Sequence, residues 1–135
     1  RLGKENQTLS GLDDAPIRWI VDDAMKFIKR EARRGNVYQA IVLDPPAYGR
    51  GPEGEKWILE EQINELLKTC KEILDPKDYL LLLNMYSLSF SSLIAANLIQ
   101  TNFGRVENAE QGELYLEESQ GKKLPLGIFY RFSSF

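Results

Sequence analysis

Four short stretches of this sequence hold residue types that could do chemistry. The first is Asp44-Pro45-Pro46-Ala47-Tyr48. A carboxylate at Asp44 can accept hydrogen bonds from an amino group or orient a polar substrate. Proline fixes its own φ and pushes its predecessor out of the helical region. Two in a row hold the chain extended, and without N–H groups of their own they leave carbonyls for a ligand. Tyr48 adds a flat face on which a base can stack. The second stretch is Asp22-Asp23-Ala24, where Asp23 either bonds an adenine amino group or caps a helix. The third is Asn84-Met85-Tyr86-Ser87. Its polar side chains either share a crevice with Asp44 or form a strand-to-helix turn capped by Ser87 or Ser89. The fourth, Gly49-Arg50-Gly51-Pro52-Glu53-Gly54, spells Gly-x-Gly-x-x-Gly.

That last match is weak as a nicotinamide-dinucleotide fingerprint. The fingerprint turns directly from strand into helix, whereas Pro-Pro-Ala-Tyr intervenes here. Pro52 removes an N–H that a pyrophosphate would use, and Glu53 adds repulsive charge. A mobile loop over a site is the better expectation, with Arg50 as a substrate contact.

Other chemistries are excluded by what the chain lacks. It has no histidine, which removes histidine triads, general bases and metal sites. No ligand cluster for a metal stands out. Its one cysteine rules out an internal disulfide and fits a reducing, cytoplasmic setting. Cys70 also falls in an apolar helical stripe, where it reads as a small core residue. The net charge of −3 gives no bulk electrostatic case for binding nucleic acid. Arg30, Arg33 and Arg34 read as a solvated helix end that suits the dipole. No apolar run is long enough for a membrane span.

The elements that must position these residues alternate. Ser10-Gly11 ends a helix. Ile17–Val21 is rich in β-formers and predicts a strand. Ala24, Phe27, Ile28 and Ala32 mark one face of a helix that stops at Gly35-Asn36. Residues 38–43 and 79–83 are apolar without alternation, as in parallel strands covered on both faces. Between them a helix spans 57–74, with Ile63, Leu66, Leu67, Cys70, Ile73 and Leu74 inward. Ser89 can cap a third helix, with Phe90, Leu93, Ile94 and Leu98 on one side and Gly104 at its end. Residues 105–118 and 124–132 predict an antiparallel hairpin. The order β-α-β-α-β-α-β-β predicts one α/β domain, a mostly parallel sheet with helices on both faces and an antiparallel edge. Asp44 then sits at a strand's carboxyl end, where such sheets bind ligands.

With these motifs placed, the sequence resembles a class I S-adenosylmethionine (SAM)-dependent methyltransferase. It is similar to the large-subunit ribosomal-RNA group that carries Asp-Pro-Pro-x-Phe/Tyr. The matching residues are Asp22-Asp23-Ala24 after the family's third strand, Asp44 to Tyr48 after the fourth and Asn84 to Ser87 after the fifth. The resemblance implies a Rossmann-like sheet in which residues 1–135 form the C-terminal part of a single domain. The family's first two strands, with their Gly-rich loop and ribose-holding acid, would precede Arg1. Their absence leaves a gap between 17–21 and 38–43, with exposed edges open to self-association. The resemblance implies SAM as cofactor, contacted by Asp22, Asp23, Ala24 and Asp44. Asp44, Pro45, Pro46 and Tyr48 would be catalytic, and Arg50, Asn84 and Tyr86 would face the substrate. RNA is the implied partner. Members that methylate cytosine C5 carry a cysteine after strand five, where this chain has Asn84 to Ser87. Direct transfer to a base heteroatom fits better. A non-catalytic methyltransferase-like binding module is the alternative.

Overall fold

The computed structural model describes residues 2–51, 53–86 and 90–135. Its elements are α1 (Leu2–Leu9), α2 (Ala24–Arg34), β1 (Ala40–Leu43), β2 (Tyr48–Arg50), β3 (Lys56–Ile58), α3 (Leu59–Ile73), β4 (Leu80–Met85), α4 (Ser92–Phe103), β5 (Glu110–Glu117) and β6 (Lys123–Ser133). The fold is α/β, as the alternation implied. A four-stranded sheet has the order β1-β4-β6-β5. β1 and β4 are parallel, with Ala40 opposite Leu80 and Leu43 opposite Leu83. β6 runs antiparallel to both β4 and β5, so the sheet is mixed and the C-terminal hairpin forms its far edge.

The core lies on one side of this sheet. Leu81, Leu83 and Met85 of β4 stand opposite Phe132, Tyr130 and Ile128 of β6. These six are buried against Ile63, Leu66, Leu67, Cys70 and Ile73 of α3 and against Ala95 and Ile99 of α4. Each fully buried Leu or Ile contributes about 1.5–3 kcal/mol relative to exposure. The stripe expected on α3 is therefore the one buried, and Cys70 is a core residue. Burial raises its thiol pKa to about 12, far from a thiolate nucleophile.

Helix ends follow local chemistry. Asp23 caps α2, its carboxylate accepting from the Lys26 N–H at 2.8 Å. At the other end Gly35 takes φ 69°. The Gly35 and Asn36 N–H groups then donate to the Ala32 and Glu31 carbonyls at 3.0 and 3.1 Å, a Schellman arrangement. Gly11 and Gly104, the other expected helix stops, also have positive φ.

Four expectations are corrected. Ile17–Val21 forms no strand. A strand needs a ladder partner, and none lies alongside it among the described residues. Trp19 instead turns to α1, donating from Nε1 to Gln7 Oε1 at 2.8 Å. Its ring lies against Gly3, where a Cβ would come within 2.6 Å. Next, the helices are not on both faces. α2, α3 and α4 cover one face, α1 buries no residue, and the opposite face leaves Val42 65% exposed. β1 is thus half-covered rather than enclosed. Third, the helix expected from 57 starts at Leu59, because Lys56-Trp57-Ile58 pairs as β3. Fourth, α4 is capped by Ser91, whose Oγ accepts from the Ile94 N–H at 3.3 Å. Its buried face is Ala95 and Ile99, one step round from the expected stripe, and Leu93 is exposed. Ser87 and Ser89 lie outside the described residues.

Candidate functional site

A cleft of about 610 Å³ opens at the carboxyl end of β1. Its floor is Val42 to Pro46, one wall is Asp22 to Met25, and the other is the β2–β3 hairpin through Gly49, Arg50, Gly51, Glu55, Lys56 and Trp57. Its size is that of an ordinary small-ligand pocket. The strand end delivers Asp44 and the start of α2 delivers Asp22 and Asp23, as the sequence spacing implied. Of the residues singled out, Asp22, Asp23, Ala24, Asp44, Pro45, Pro46 and Arg50 line this one cleft. Tyr48, Asn84 and Tyr86 do not.

Asn84 is nonetheless linked to it. Its Nδ2 donates to Asp44 Oδ1 at 2.8 Å, which fixes the carboxylate across the β1–β4 pair. Asp44 Oδ2 keeps no partner among the described residues. Tyr48 and Tyr86 are exposed at 54% and 68%, so either ring is open to a flat ligand. Tyr48 stands beside the cleft on β2, whereas Tyr86 follows β4.

The two neighbouring acids differ in how they are occupied. Asp22 is engaged at both oxygens: Oδ1 accepts from the Asp23 N–H at 2.9 Å, and Oδ2 from Arg30 Nη2 at 2.7 Å. The Arg30 hydrogen bond holds its carboxyl below the usual range. Arg30 is therefore not merely a solvated helix charge. Asp23 uses Oδ1 to cap α2, and its Oδ2 has no partner among the described residues.

The proline pair is also divided. Trp57 Nε1 donates to the Pro46 carbonyl at 2.7 Å, and the Leu59 N–H donates to the Ala47 carbonyl at 3.0 Å. Both bonds attach the hairpin and the start of α3 to the segment after β1. The Pro45 carbonyl stays without a partner among the described residues, so it is the one open to a ligand.

The Gly-rich stretch is not a loose loop. It is the turn of an antiparallel hairpin in which Tyr48, Gly49 and Arg50 face Ile58, Trp57 and Lys56. The Gly51 N–H donates to the Glu55 carbonyl at 2.8 Å, and Gly54 adopts φ 88°, a turn conformation suited to glycine. Lys26 on α2 binds both Glu53 and Glu55, joining the turn to the opposite wall. Glu53 first, then Glu55, raise the Lys26 pKa, and Lys26 lowers that of Glu55. The Gly-rich stretch joins one strand to another rather than a strand to a helix, so the dinucleotide reading loses its structural basis.

The sequence reading missed Lys26, Glu55, Lys56 and Trp57 as parts of the site. A signal was present. A Gly-containing five-residue connection, Gly51 to Glu55, joins Tyr48-Gly49-Arg50 to Lys56-Trp57-Ile58, which is a hairpin pattern. The apolar helix that follows obscured it.

Among solved structures, the SAM-dependent methyltransferase from Agrobacterium tumefaciens matches with a TM-score of 0.90 and 41% identity, covering 98% of this chain and 44% of that one. The chain carries part of the SAM-dependent methyltransferase fold. It spans less than half the length of that relative. A candidate methyltransferase solved in complex with SAH matches at 18% identity and TM-score 0.73, over 97% of this chain and 35% of its own. A precorrin 8W decarboxylase from Methanobacterium thermoautotrophicum matches at 12% identity and TM-score 0.60, over 98% of this chain and 62% of its own. These two likenesses concern the fold alone. No family model matches the sequence, and no curated protein sequence does.

Within the methyltransferase fold, the cleft lies beside the free edge of β1. Among the described residues no strand covers that edge, and no group of three or more Asp, Glu or Cys is arranged to hold a metal ion. Among the described residues no helix is long and apolar enough to cross a membrane.

Proposed function

We propose that this chain forms the acceptor-facing part of a SAM-dependent methyltransferase that acts on RNA, transferring the methyl group directly to a heteroatom of a base. The carrying observation is the cleft, in which Asp22-Asp23-Ala24 and Asp44-Pro45-Pro46 converge although nineteen residues lie between them in the chain. The match with the Agrobacterium protein supports the reaction class.

The residues present fit the cofactor. Asp23 Oδ2 is an open acceptor at the start of α2, suited to an adenine amino group, while Asp22 is held by Arg30 and positions it. SAM, when bound, supplies a sulfonium-activated methyl group. The chain's own contribution is then mostly placement. Asp44, fixed by Asn84 at 2.8 Å, keeps one oxygen to accept a hydrogen from the acceptor's amino group. The Pro45 carbonyl offers a second acceptor beside it. Two such bonds direct the nitrogen lone pair rather than leaving it to rotate. Tyr48, exposed on β2, stacks on the base. A covalent route through the buried Cys70 thiol has no geometric support.

Calorimetric titration of SAH into the protein in its full natural length tests this. The informative variant is Asp23→Asn rather than Asp23→Ala. Alanine would also remove the α2 cap, at about 1 kcal/mol, and confuse stability with binding. Asparagine caps nearly as well but loses the charge. Binding by the wild type, weakened roughly tenfold or more in Asp23→Asn as for a hydrogen bond to a charged group, is the expected result. A folded protein that takes up no SAH overturns the enzyme reading and leaves a non-catalytic binding module.

A further inference from the structure

We infer that Arg50 and Lys56 form a phosphate-binding pair that holds an RNA phosphodiester at the rim of the cleft. This rests on the RNA-methyltransferase reading and specifies how its substrate is oriented. The two residues are directly opposite across the β2–β3 hairpin, so their side chains leave the same face. Both line the cleft and both are exposed. Like charges directly opposite in a strand pair destabilise it, so this hairpin carries a cost that an anion would remove. The carboxylates of the same turn do not relieve it: Glu53 and Glu55 are bound by Lys26. Among the described residues neither Arg50 nor Lys56 has an ion-pair partner. Opposed Cβ atoms in such a pair lie about 4.5–5.5 Å apart, close enough for both cations to reach the oxygens of one phosphate.

The rest of the cleft gives the orientation. Asp22, Asp23 and Asp44 make the floor and far wall acidic, which repels a phosphate and accepts base amino groups. A nucleotide therefore enters base first, with its backbone left at the hairpin. Tyr48 is two residues before Arg50 on the same strand face and is exposed, so a base can stack next to the held phosphate. The occupant is a single-stranded segment, since a base must leave its stack to reach Asp44.

The test is fluorescence anisotropy of a labelled single-stranded oligoribonucleotide with the protein in its full natural length, across a salt series. Each phosphate contact in a single strand contributes about 0.7 to the slope of log K against log salt. The double variant Arg50→Gln/Lys56→Gln should make the slope shallower by about 0.7, the value for one phosphate, and each single variant by part of that. Lys56→Arg should keep the wild-type slope. The thermal midpoint of the double variant should stay level or rise, because the repulsion is gone. A double variant with an unchanged slope overturns the pair. So does a nucleoside monophosphate that competes as well as the oligonucleotide, which would indicate a small phosphorylated substrate. SAH titration of the same wild-type sample keeps the two readings apart. SAH uptake with unchanged slopes sinks only the phosphate pair, whereas absent SAH uptake sinks the methyltransferase reading whatever the slopes are.

Discussion

β1 and β4 lie side by side in one sheet and read almost alike, Ala-Ile-Val-Leu against a run of four leucines. Their surroundings differ sharply. In β4, Leu81 and Leu83 are fully buried, and strands pair with it on both sides. In β1, Val42 is 65% exposed, and among the described residues only one edge is paired. Composition reports that a segment prefers to be a strand. It does not report how many neighbours the strand has. The neighbours decide how much each apolar side chain contributes.

The largest expected effect is in β4. Leu83→Ala should destabilise the fold by about 2–5 kcal/mol, the range for emptying a buried leucine site. Chemical denaturation at neutral pH measures it. A loss below about 1 kcal/mol would mean that α3 and α4 collapse onto the gap, and that β4 is less firmly packed than its neighbours imply.

That contrast also explains what was readable in the sequence. The α3 stripe was legible because burial there follows periodicity, from Ile63 to Ile73, and β4 was legible as a continuous apolar run, Leu80 to Leu83. The C-terminal hairpin was legible from its Gly121 connection, and Asp22-Asp23 and Asp44 from their places at element ends. Three features were not legible, for physical reasons. Ile17–Val21 has strand composition, but a strand exists only with a partner, and Trp19 finds Gln7 instead. Lys56-Trp57-Ile58 is short and flows into a helix of stronger periodicity, so its pairing with Tyr48 to Arg50 is a nonlocal fact. The α4 cap falls at Ser91 in a stretch with several serines, and local chemistry alone does not choose among them. The site was read more fully at its acidic floor than at its hairpin wall for the same reason.

A second difference between the strands is how their entrances are held. β4 is entered beside Tyr79, whose ring packs edge-on against Phe132 at 5.9 Å. β1 is entered through a polar network. Glu31, buried on α2, accepts from Tyr38 Oη at 2.7 Å, Asn36 Nδ2 at 2.6 Å and Arg34 Nη1 at 3.0 Å. The Tyr38 and Asn36 bonds, helped by Arg34, lower the Glu31 pKa from 4.5 to about 2. A carboxyl with a depressed folded pKa stabilises fully above its unfolded value and loses that stabilisation as pH falls through the folded one. Acid should therefore loosen the start of β1 progressively from about 4.5 down to about 2. Amide exchange at Ala40 to Leu43 should rise over that window before exchange at Leu81 to Met85 does. Glu31→Gln should be less stable at neutral pH and show a shallower acid dependence. Equal acid sensitivity of both strands in the wild type would remove Glu31 as the cause.

The smallest expected effect concerns the open edge. Val42→Lys should change stability by no more than about 0.5 kcal/mol, as for an exposed position outside the packed core. Leu83→Lys in the adjoining strand would place an unpaired charge in the core. The same Val42→Lys variant also examines the edge itself. An unpaired strand with an exposed apolar residue is open to another chain, and a lysine there blocks pairing. Sedimentation of wild type and variant over a concentration series distinguishes the two cases. If both stay monomeric with equal stability, β1 is an edge that this chain tolerates bare. If the wild type associates and Val42→Lys does not, the edge is occupied in solution. The apparent stability of β1 then depends on protein concentration, while that of β4 does not.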